Sequence, residues 1–164
     1  MKIDRRPNVT TAAAALALLV TVACSKPDAP AQPVQDEATL KANDKVLLGK
    51  IVEADVKVSK AMRDADDAAK VGDGGAALAI VEERAKPAVD DGLKVAAGST
   101  MQTKWGAEKR DALSGLLRDR KDAIPKYVDA VKSSDPEKML VSVQAQASIE
   151  RRALTTVAGI DENR

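Results

Sequence analysis

The most constraining feature of this sequence is a long stretch in which small apolar residues recur at every third or fourth position. Asp36 can cap a helix that continues to about Lys70. The residues expected on its buried side are Leu40, Leu47, Ile51, Ala54, Val58, Ala61, Ala65 and Ala68. This spacing is typical of a helix in a bundle or a coiled coil. Aromatic residues make up 1% of the chain, so strand-forming sequence is scarce. We therefore predict an all-α protein.

Glycines and prolines divide the rest of the chain into further helices. The glycine-containing segment 71–75 ends the first helix, because glycine accepts the left-handed backbone conformation that ends helices. A second helix is expected over about 75–97, and Pro87 predicts a kink or a break near Arg84. The residues expected to face inward are Leu78, Val81, Ala85, Val89, Leu93 and Ala96.

Two more helices follow. The third is expected over about 101–132 with Pro125 inside it, and its apolar residues are Trp105, Leu113, Leu116, Leu117, Ile124, Tyr127, Val128 and Val131. Asp135 as a cap and Pro136 at the first helical position begin the fourth, which runs to about Val157. Its expected inner residues are Leu140, Val143, Ala147, Leu154 and Val157. Short connections between four such helices predict an up-down-up-down four-helix bundle over residues 37–164.

The first residues of the chain have the pattern of an export signal. Lys2, Arg5 and Arg6 are followed by a stretch, 7–25, without a charged residue. Its apolar part is shorter than the roughly 20 residues that a membrane-spanning helix needs. A short apolar segment that ends in small residues is typical of a cleaved secretory signal, here residues 1–23. An uncleaved anchor helix and, from Arg5 and Arg6, twin-arginine export are the alternatives.

The end of this segment carries a motif. Thr21, Val22, Ala23 and Cys24 resemble the lipobox of bacterial lipoproteins, although that class usually has leucine where this chain has Thr21. The resemblance implies cleavage between Ala23 and Cys24, and lipidation of Cys24 by fatty acyl groups such as palmitate. Cys24 is the only cysteine in the chain, so it has no disulfide partner within it, and acylation accounts for an unpaired thiol in an exported protein.

A proline-rich segment follows Cys24. Pro27, Pro30 and Pro33 favour an extended conformation that rises about 3.1 Å per residue, so residues 25–35 can act as a tether. A disordered tail is the alternative, with the same mechanical consequence. Residues 24–36 thus form a lipidated N-terminus and linker. Ser25 stands where the resembled class places aspartate as an inner-membrane retention signal, so the resemblance implies the outer membrane, with the bundle in the periplasm or at the cell surface.

The composition excludes several classes of chemistry. The chain contains no histidine and its one cysteine is assigned to lipidation, so the usual general base, thiol nucleophile and transition-metal ligands are missing. Asp64, Asp66, Asp67 and Asp73 form the best acidic cluster, but the sixth and twelfth positions of a calcium loop starting at Asp64 hold Ala69 and Gly75. We expect no catalytic, metal-binding or cofactor-binding residues and no enzymatic activity. A hydrolase or lyase that uses Asp, Glu, Lys and Ser side chains is an alternative that ranks below the two non-enzymatic hypotheses given at the end of this section.

Charge gives no reason to expect a nucleic-acid partner. Removing residues 1–23 takes three basic residues and one acidic residue from totals of 26 and 25, leaving 23 basic and 24 acidic residues. The run of alternating charges at 118–122 and the pair Arg151 and Arg152 are expected on solvent-exposed helix faces, with a docking surface as the alternative.

Two aromatic residues are candidates for a contact with a partner or a ligand. Trp105 and Tyr127 are 22 residues apart, close to six helical turns, so both can lie on one face of the third helix. They are expected either to fill the core or to contact a ligand or partner. Alanine-rich helix faces leave little room for a large ligand pocket. The leading hypothesis is a membrane-anchored lipoprotein whose non-catalytic bundle contacts envelope proteins or has a structural role; the alternative is a periplasmic sensor that binds a small molecule or an ion.

Overall fold

In the computed structural model, which describes residues 36–161, a capping aspartate opens the first helix. Asp36 Oδ1 accepts a hydrogen bond from Thr39 N–H at 2.7 Å, and helix α1 spans Glu37–Lys70. It ends in a glycine cap: Gly72 has a φ of +87°, which lets Gly72 N–H donate to the Ala69 carbonyl and Asp73 N–H to the Ala68 carbonyl. Both predicted ends of this helix are confirmed.

The second rod of the bundle is a helix interrupted by a wide turn. It consists of α2 (Gly74–Ile80), a π-helical turn (Val81–Ala85) and α3 (Lys86–Gly98). Pro87 has no N–H to donate to the carbonyl four residues earlier, and its ring would collide with that carbonyl. The π turn relieves the conflict, because Lys86 N–H donates to the Val81 carbonyl five residues back. The irregularity predicted near Arg84 is therefore present as a π turn.

The last two rods are uninterrupted helices, α4 (Lys104–Ser133) and α5 (Pro136–Asp161). Helix α4 begins three residues later than predicted, because Thr103 is its cap and accepts a hydrogen bond from Gly106 N–H. Helix α5 begins as predicted, since Asp135 Oδ1 accepts from Glu137 N–H at 2.9 Å. It continues past the predicted end near residue 157.

The four rods confirm an all-α four-helix bundle for the described residues. Helices α1, α3 and α4 pack against one another, whereas α5 packs along α4 and meets α1 at few positions. The apolar side chains buried between the rods include Leu48, Ile51, Val58, Val81, Val89, Leu113, Leu117 and Ile124. None of the helices in this part of the chain is both long enough and apolar enough to cross a membrane.

The predicted inner face of the last helix is wrong. Leu140 and Leu154 are 58% and 71% exposed, and the residues that α5 buries are Ser142, Ile149, Ala153 and Ile160. Both sets recur at helical spacing, so the hydropathy of α5 does not single out one face. Contact with α4 selects the face that carries Ile149 and Ile160, and it turns the predicted residues toward α1 or solvent.

A buried carboxylate fixes the connection between α3 and α4. Asp44 of α1 is fully buried, and it accepts hydrogen bonds from Gln102 N–H at 2.7 Å, Thr103 N–H at 2.9 Å and the Thr103 hydroxyl at 2.6 Å. A Cβ atom at Gly106 would collide with this carboxylate, so a glycine is required there. Burial alone would raise the pKa of Asp44, but the hydrogen bonds from Gln102 and Thr103 outweigh it and lower the pKa below 3.8.

We predict that Asp44→Asn lowers the free energy of unfolding by about 2 to 3 kcal/mol, because an amide loses the charge and offers only one oxygen to three donors. Urea unfolding at neutral pH measures the change. Asp91→Asn, at an exposed position of α3, is the matched control and should leave the midpoint close to that of the wild type.

The same comparison has a defined pH dependence. The folded state lowers the pKa of Asp44, so the carboxylate stabilises the fold above its ordinary value of 3.8 and loses this effect as the pH falls through the lower folded-state value. The difference between wild type and Asp44→Asn should therefore shrink in acid. A difference that stays constant down to the acid transition would contradict this role for the charge.

Candidate functional site

The candidate site is a cleft between α1 and α5, with α4 as its floor. It consists of two cavities, with volumes of about 130 Å³ and 230 Å³, and both are bordered by Arg63 of α1 and Glu150 of α5. We call the smaller one the Tyr127 cavity and the larger one the Arg120 cavity, and the two together the α1–α5 cleft. Alanines of α5, Ala147 and Ala153, are among the residues that line these two cavities.

The wall of the cleft on α5 includes four residues that were predicted to lie in the core. Val143 and Ala147 line the Tyr127 cavity, and Leu154 and Val157 line the Arg120 cavity. On the opposite side, α1 contributes Met62 to the first cavity and Val52 and Val56 to the second. The apolar face of α5 that does not contact α4 therefore lines an open space.

A buried ion pair lies at the inner wall of the larger cavity. Arg120 of α4 is only 1% exposed, and its Nε and Nη2 donate to the two carboxylate oxygens of Asp55 at 2.6 and 3.1 Å. Nη2 also donates to the hydroxyl of Ser59 at 2.5 Å. Such bidentate geometry compensates for much of the cost of removing both charges from water. The third nitrogen, Nη1, has no hydrogen-bond partner among residues 36–161.

The smaller cavity is bordered by two further polar groups without a protein partner. Tyr127 is 1% exposed, and neither its hydroxyl nor the amide oxygen and nitrogen of Gln146 forms a hydrogen bond within the described part of the chain. Burial, and secondarily the charge of Asp66, raise the pKa of Tyr127 to about 12, so the phenol keeps its proton at neutral pH. Buried polar groups are nearly always hydrogen-bonded, so Arg120, Tyr127 and Gln146 are candidates for contact with water or a ligand in the cleft. Trp105 Nε1 and Ser142 Oγ also lack a partner within the described residues, but they do not line either cavity.

The mouth of the cleft is crossed by a weak ion pair. Arg63 Nη1 and Glu150 Oε1 are 3.7 Å apart, and both side chains are partly exposed to solvent. Exposed pairs of this kind contribute little to stability. The pair therefore marks the boundary between the two cavities without holding α1 and α5 firmly together.

The two aromatic residues proposed from the sequence are in different surroundings. Tyr127 borders the cleft, whereas Trp105 lies half-buried in the first turn of α4, with Lys45 Nζ 5.8 Å from its ring centroid. Their separation along α4 is about 33 Å at 1.5 Å per residue, so a small ligand cannot touch both. Ala23 and Cys24, the proposed cleavage and lipidation site, lie outside the described residues.

Sequence reasoning missed the other polar residues of the cleft. Arg120 belongs to the charge run 118–122, which was expected to face solvent. This expectation is wrong for Arg120, which is buried, but the other two basic residues of the run, Arg118 and Lys121, are exposed. A signal was available, because Arg120 is seven residues from Tyr127 and so lies two turns away on the same face. Gln146 and Asp55 carry no comparable signal, because their roles depend on which helices become neighbours.

The acidic cluster forms surface contacts. Asp64 pairs with Lys60 and Arg84, Asp66 with Lys70, and Asp73 caps α2. Within residues 36–161, no group of three or more potential ligand side chains is placed to hold a metal ion.

Comparison with known proteins found no similarity: the chain matches no protein-family model, no curated protein and no solved structure.

We predict that Arg120→Met lowers the free energy of unfolding by about 3 to 5 kcal/mol, because it leaves the Asp55 carboxylate buried without its partner. The double variant Asp55→Leu with Arg120→Met should recover most of the loss, since it removes both charges and keeps apolar volume. Urea unfolding of the two single variants and the double variant measures the coupling.

A neighbouring pair supplies the control. Lys121 and Asp90 are 2.8 Å apart, and both are exposed, so Lys121→Met should have a much smaller effect than Arg120→Met. A double variant whose loss equals the sum of the two single losses would show that Asp55 and Arg120 do not act as a pair.

Proposed function

We propose that this chain is a lipid-anchored component of the bacterial cell envelope, and that its helical bundle acts by binding other molecules without catalysing a reaction. The observation that carries the proposal is the position of the single cysteine, Cys24, at the end of a short apolar segment and directly before a proline-rich tether. Acylation of one thiol at the mature N-terminus would hold the bundle at a membrane. Each buried methylene of such chains contributes about 0.8 kcal/mol, and more than one chain is needed for stable anchoring.

The residue after the cysteine supports an outer-membrane destination. Ser25 differs from the aspartate that retains the resembled class in the inner membrane. The bundle would then lie in the periplasm or at the cell surface, joined to the membrane through residues 25–35. A chain without histidine and with its thiol acylated is poorly equipped for general base or thiol catalysis, which supports the non-catalytic part of the proposal.

Contact with an envelope protein is supported by the outer side of α5. Leu140 and Val141 are adjacent near the start of this helix, and they are 58% and 63% exposed. Neighbouring exposed apolar side chains of this kind are common at protein contacts. They are the positions where we expect a partner protein to touch the bundle.

We predict that Cys24→Ala moves the protein from the membrane fraction to the soluble fraction, because it removes the thiol that would be acylated. Ser25→Ala is the control and should stay with the membrane. Cell fractionation with detection of the protein in each fraction gives the result. Membrane association of Cys24→Ala equal to that of the wild type, with intact-mass analysis showing that residues 1–23 have been removed from both proteins, would contradict the anchor.

We predict that a photo-crosslinking amino acid at position 141 gives one reproducible product with a single envelope protein, whereas the same amino acid at position 57 does not. Lys57 is also exposed but lies on α1, so it controls for random collisions. Mass spectrometry identifies the products. Products that do not differ between the two positions would count against α5 as the contact surface.

A second function, binding of a small molecule by the bundle, is favoured by the α1–α5 cleft. The specific observation is that the buried hydroxyl of Tyr127 and the amide of Gln146 have no partner within residues 36–161 and border the same cavity. This function is compatible with the anchor, because it uses a different part of the chain.

A further inference from the structure

We infer that the α1–α5 cleft binds a small uncharged amphiphile, whose hydrogen-bonding head group lies in the Tyr127 cavity and whose short apolar chain lies in the Arg120 cavity. This inference rests on the second function proposed above, binding of a small molecule. It is independent of the lipid anchor and of a protein partner.

The head group follows from the polar atoms of the Tyr127 cavity. A phenol hydroxyl and a primary amide each donate and accept hydrogen bonds, and those of Tyr127 and Gln146 have no partner in the described residues. These polar atoms are buried in the wall of the cavity, so an amide or a hydroxyl group on a ligand would satisfy both once the two side chains turn toward it. The cavity of about 130 Å³ that they border has room for such a group.

The apolar chain follows from the walls of the Arg120 cavity. Val52 and Val56 of α1 face Leu154 and Val157 of α5 across a space of about 230 Å³. The two cavities share Arg63 and Glu150 as a border, so one molecule can extend through both. A cavity of about 150 Å³ accommodates benzene, so the combined space suits a ligand of roughly ten non-hydrogen atoms.

The charges of the cleft favour an uncharged ligand. Arg120 is neutralised by Asp55, Arg63 pairs with Glu150, and Asp66 pairs with Lys70 at 2.6 Å. A bound carboxylate would lose its hydration and would find no unpaired positive charge in the cleft to compensate for that cost. A neutral amide loses less on leaving water, so it fits this cleft better than the corresponding acid.

The far end of the chain reaches a third unpartnered group. Arg120 is seven residues from Tyr127, which corresponds to about 10 Å along α4, close to the extended length of an eight-carbon chain. Arg120 Nη1, which no other residue within 36–161 engages, would then lie near the chain terminus. An acceptor oxygen at that end of the ligand should strengthen binding.

The test uses the whole chain carrying Cys24→Ala, which keeps acyl groups out of the assay, and octanamide as the probe. Tyr127 and Trp105 are the only tyrosine and tryptophan in the chain, so their ring signals in an NMR titration report two separate places. We expect a saturable shift of the Tyr127 signals and an unchanged Trp105 indole signal. Octanoate should bind at least tenfold more weakly, and octanamide hydroxylated at its far end should bind several-fold more tightly.

Matched variants on α5 assign the binding to the cleft. Gln146→Leu should weaken octanamide binding about tenfold through the lost hydrogen bonds, whereas Gln144→Leu, at an exposed position of the same helix, should not. Leu154→Asp should abolish binding by placing a charge beside the chain, whereas Leu140→Asp should not. Both leucines are largely exposed, so these variants are expected to fold.

Each alternative result overturns a defined part of the inference. Equal or tighter binding of octanoate would overturn the uncharged head group, and no gain from the terminal hydroxyl would overturn the contact with Arg120. Saturable binding that leaves Tyr127 unshifted, or that ignores Gln146→Leu and Leu154→Asp, would overturn the cleft while leaving small-molecule binding intact. Absence of saturable binding by any of the three probes would overturn the inference itself, and a ligand found in a wider screen would then still support the proposed function.

Discussion

A charge that is buried between helices needs a hydrogen-bonding or oppositely charged partner that is buried beside it. Helix α1 carries such charges on the side that faces α4. Asp44, Asp55 and Asp66 are spaced eleven residues apart, close to three helical turns, so they share one face. Asp44 accepts hydrogen bonds from the segment before α4, Asp55 pairs with Arg120, and Asp66 lies close enough to Tyr127 to add to the effect of burial on the pKa of the phenol. The register between α1 and α4 is therefore defined by two bonded contacts, those of Asp44 and Asp55, whereas Asp66 pairs with Lys70 of its own helix.

Helix α5 has no comparable attachment to α1. It is joined to α4 by a buried face that includes Ile149 and Ile160 and by two surface ion pairs, Arg152 with Asp119 and Lys138 with Asp129. Across the cleft, the one ion pair to α1 within residues 36–161 is that of Arg63 and Glu150, at 3.7 Å and partly in water. Exposed pairs are weak, so the spacing between α1 and α5 is the least constrained dimension of the bundle. Two residues whose buried polar groups lack a partner in the described part of the chain, Tyr127 and Gln146, border this same gap. The hydrogen bonds between α1 and α4 thus define the inner wall of the cleft, and the weak contact between α1 and α5 leaves the cleft open.

The helix ends could be predicted from the sequence, because each is set by residues next to one another in the chain. Asp36, the glycines at 72–75, and Asp135 with Pro136 act through hydrogen bonds that span only a few residues. The buried face of α5 could not be predicted in the same way. Two sets of apolar residues compete on that helix, and only the position of α4 decides between them.

The candidate site depends even more on distant contacts. Arg120 and Asp55 are 65 residues apart in the chain, and within its own run of alternating charges Arg120 looks like any exposed basic residue. Its burial follows from the register of α4 against α1, which no local pattern encodes. Tyr127 was found because a single tyrosine is conspicuous in a chain with so few aromatic residues. Its surroundings, and the separation from Trp105, needed the assembled bundle.

The proposed anchor would raise the local concentration of amphiphiles around the proposed site. Amphiphiles partition into membranes, so their local concentration near a bilayer exceeds that in the surrounding water. Acylation of Cys24, as proposed, would keep the bundle near a membrane, because only a short stretch of sequence separates Cys24 from the first helix. A cleft of modest affinity could then be occupied there while remaining empty in free solution. Acylation of Cys24 would in that case do more than retain the protein, because it would also set how often the cleft meets its ligand.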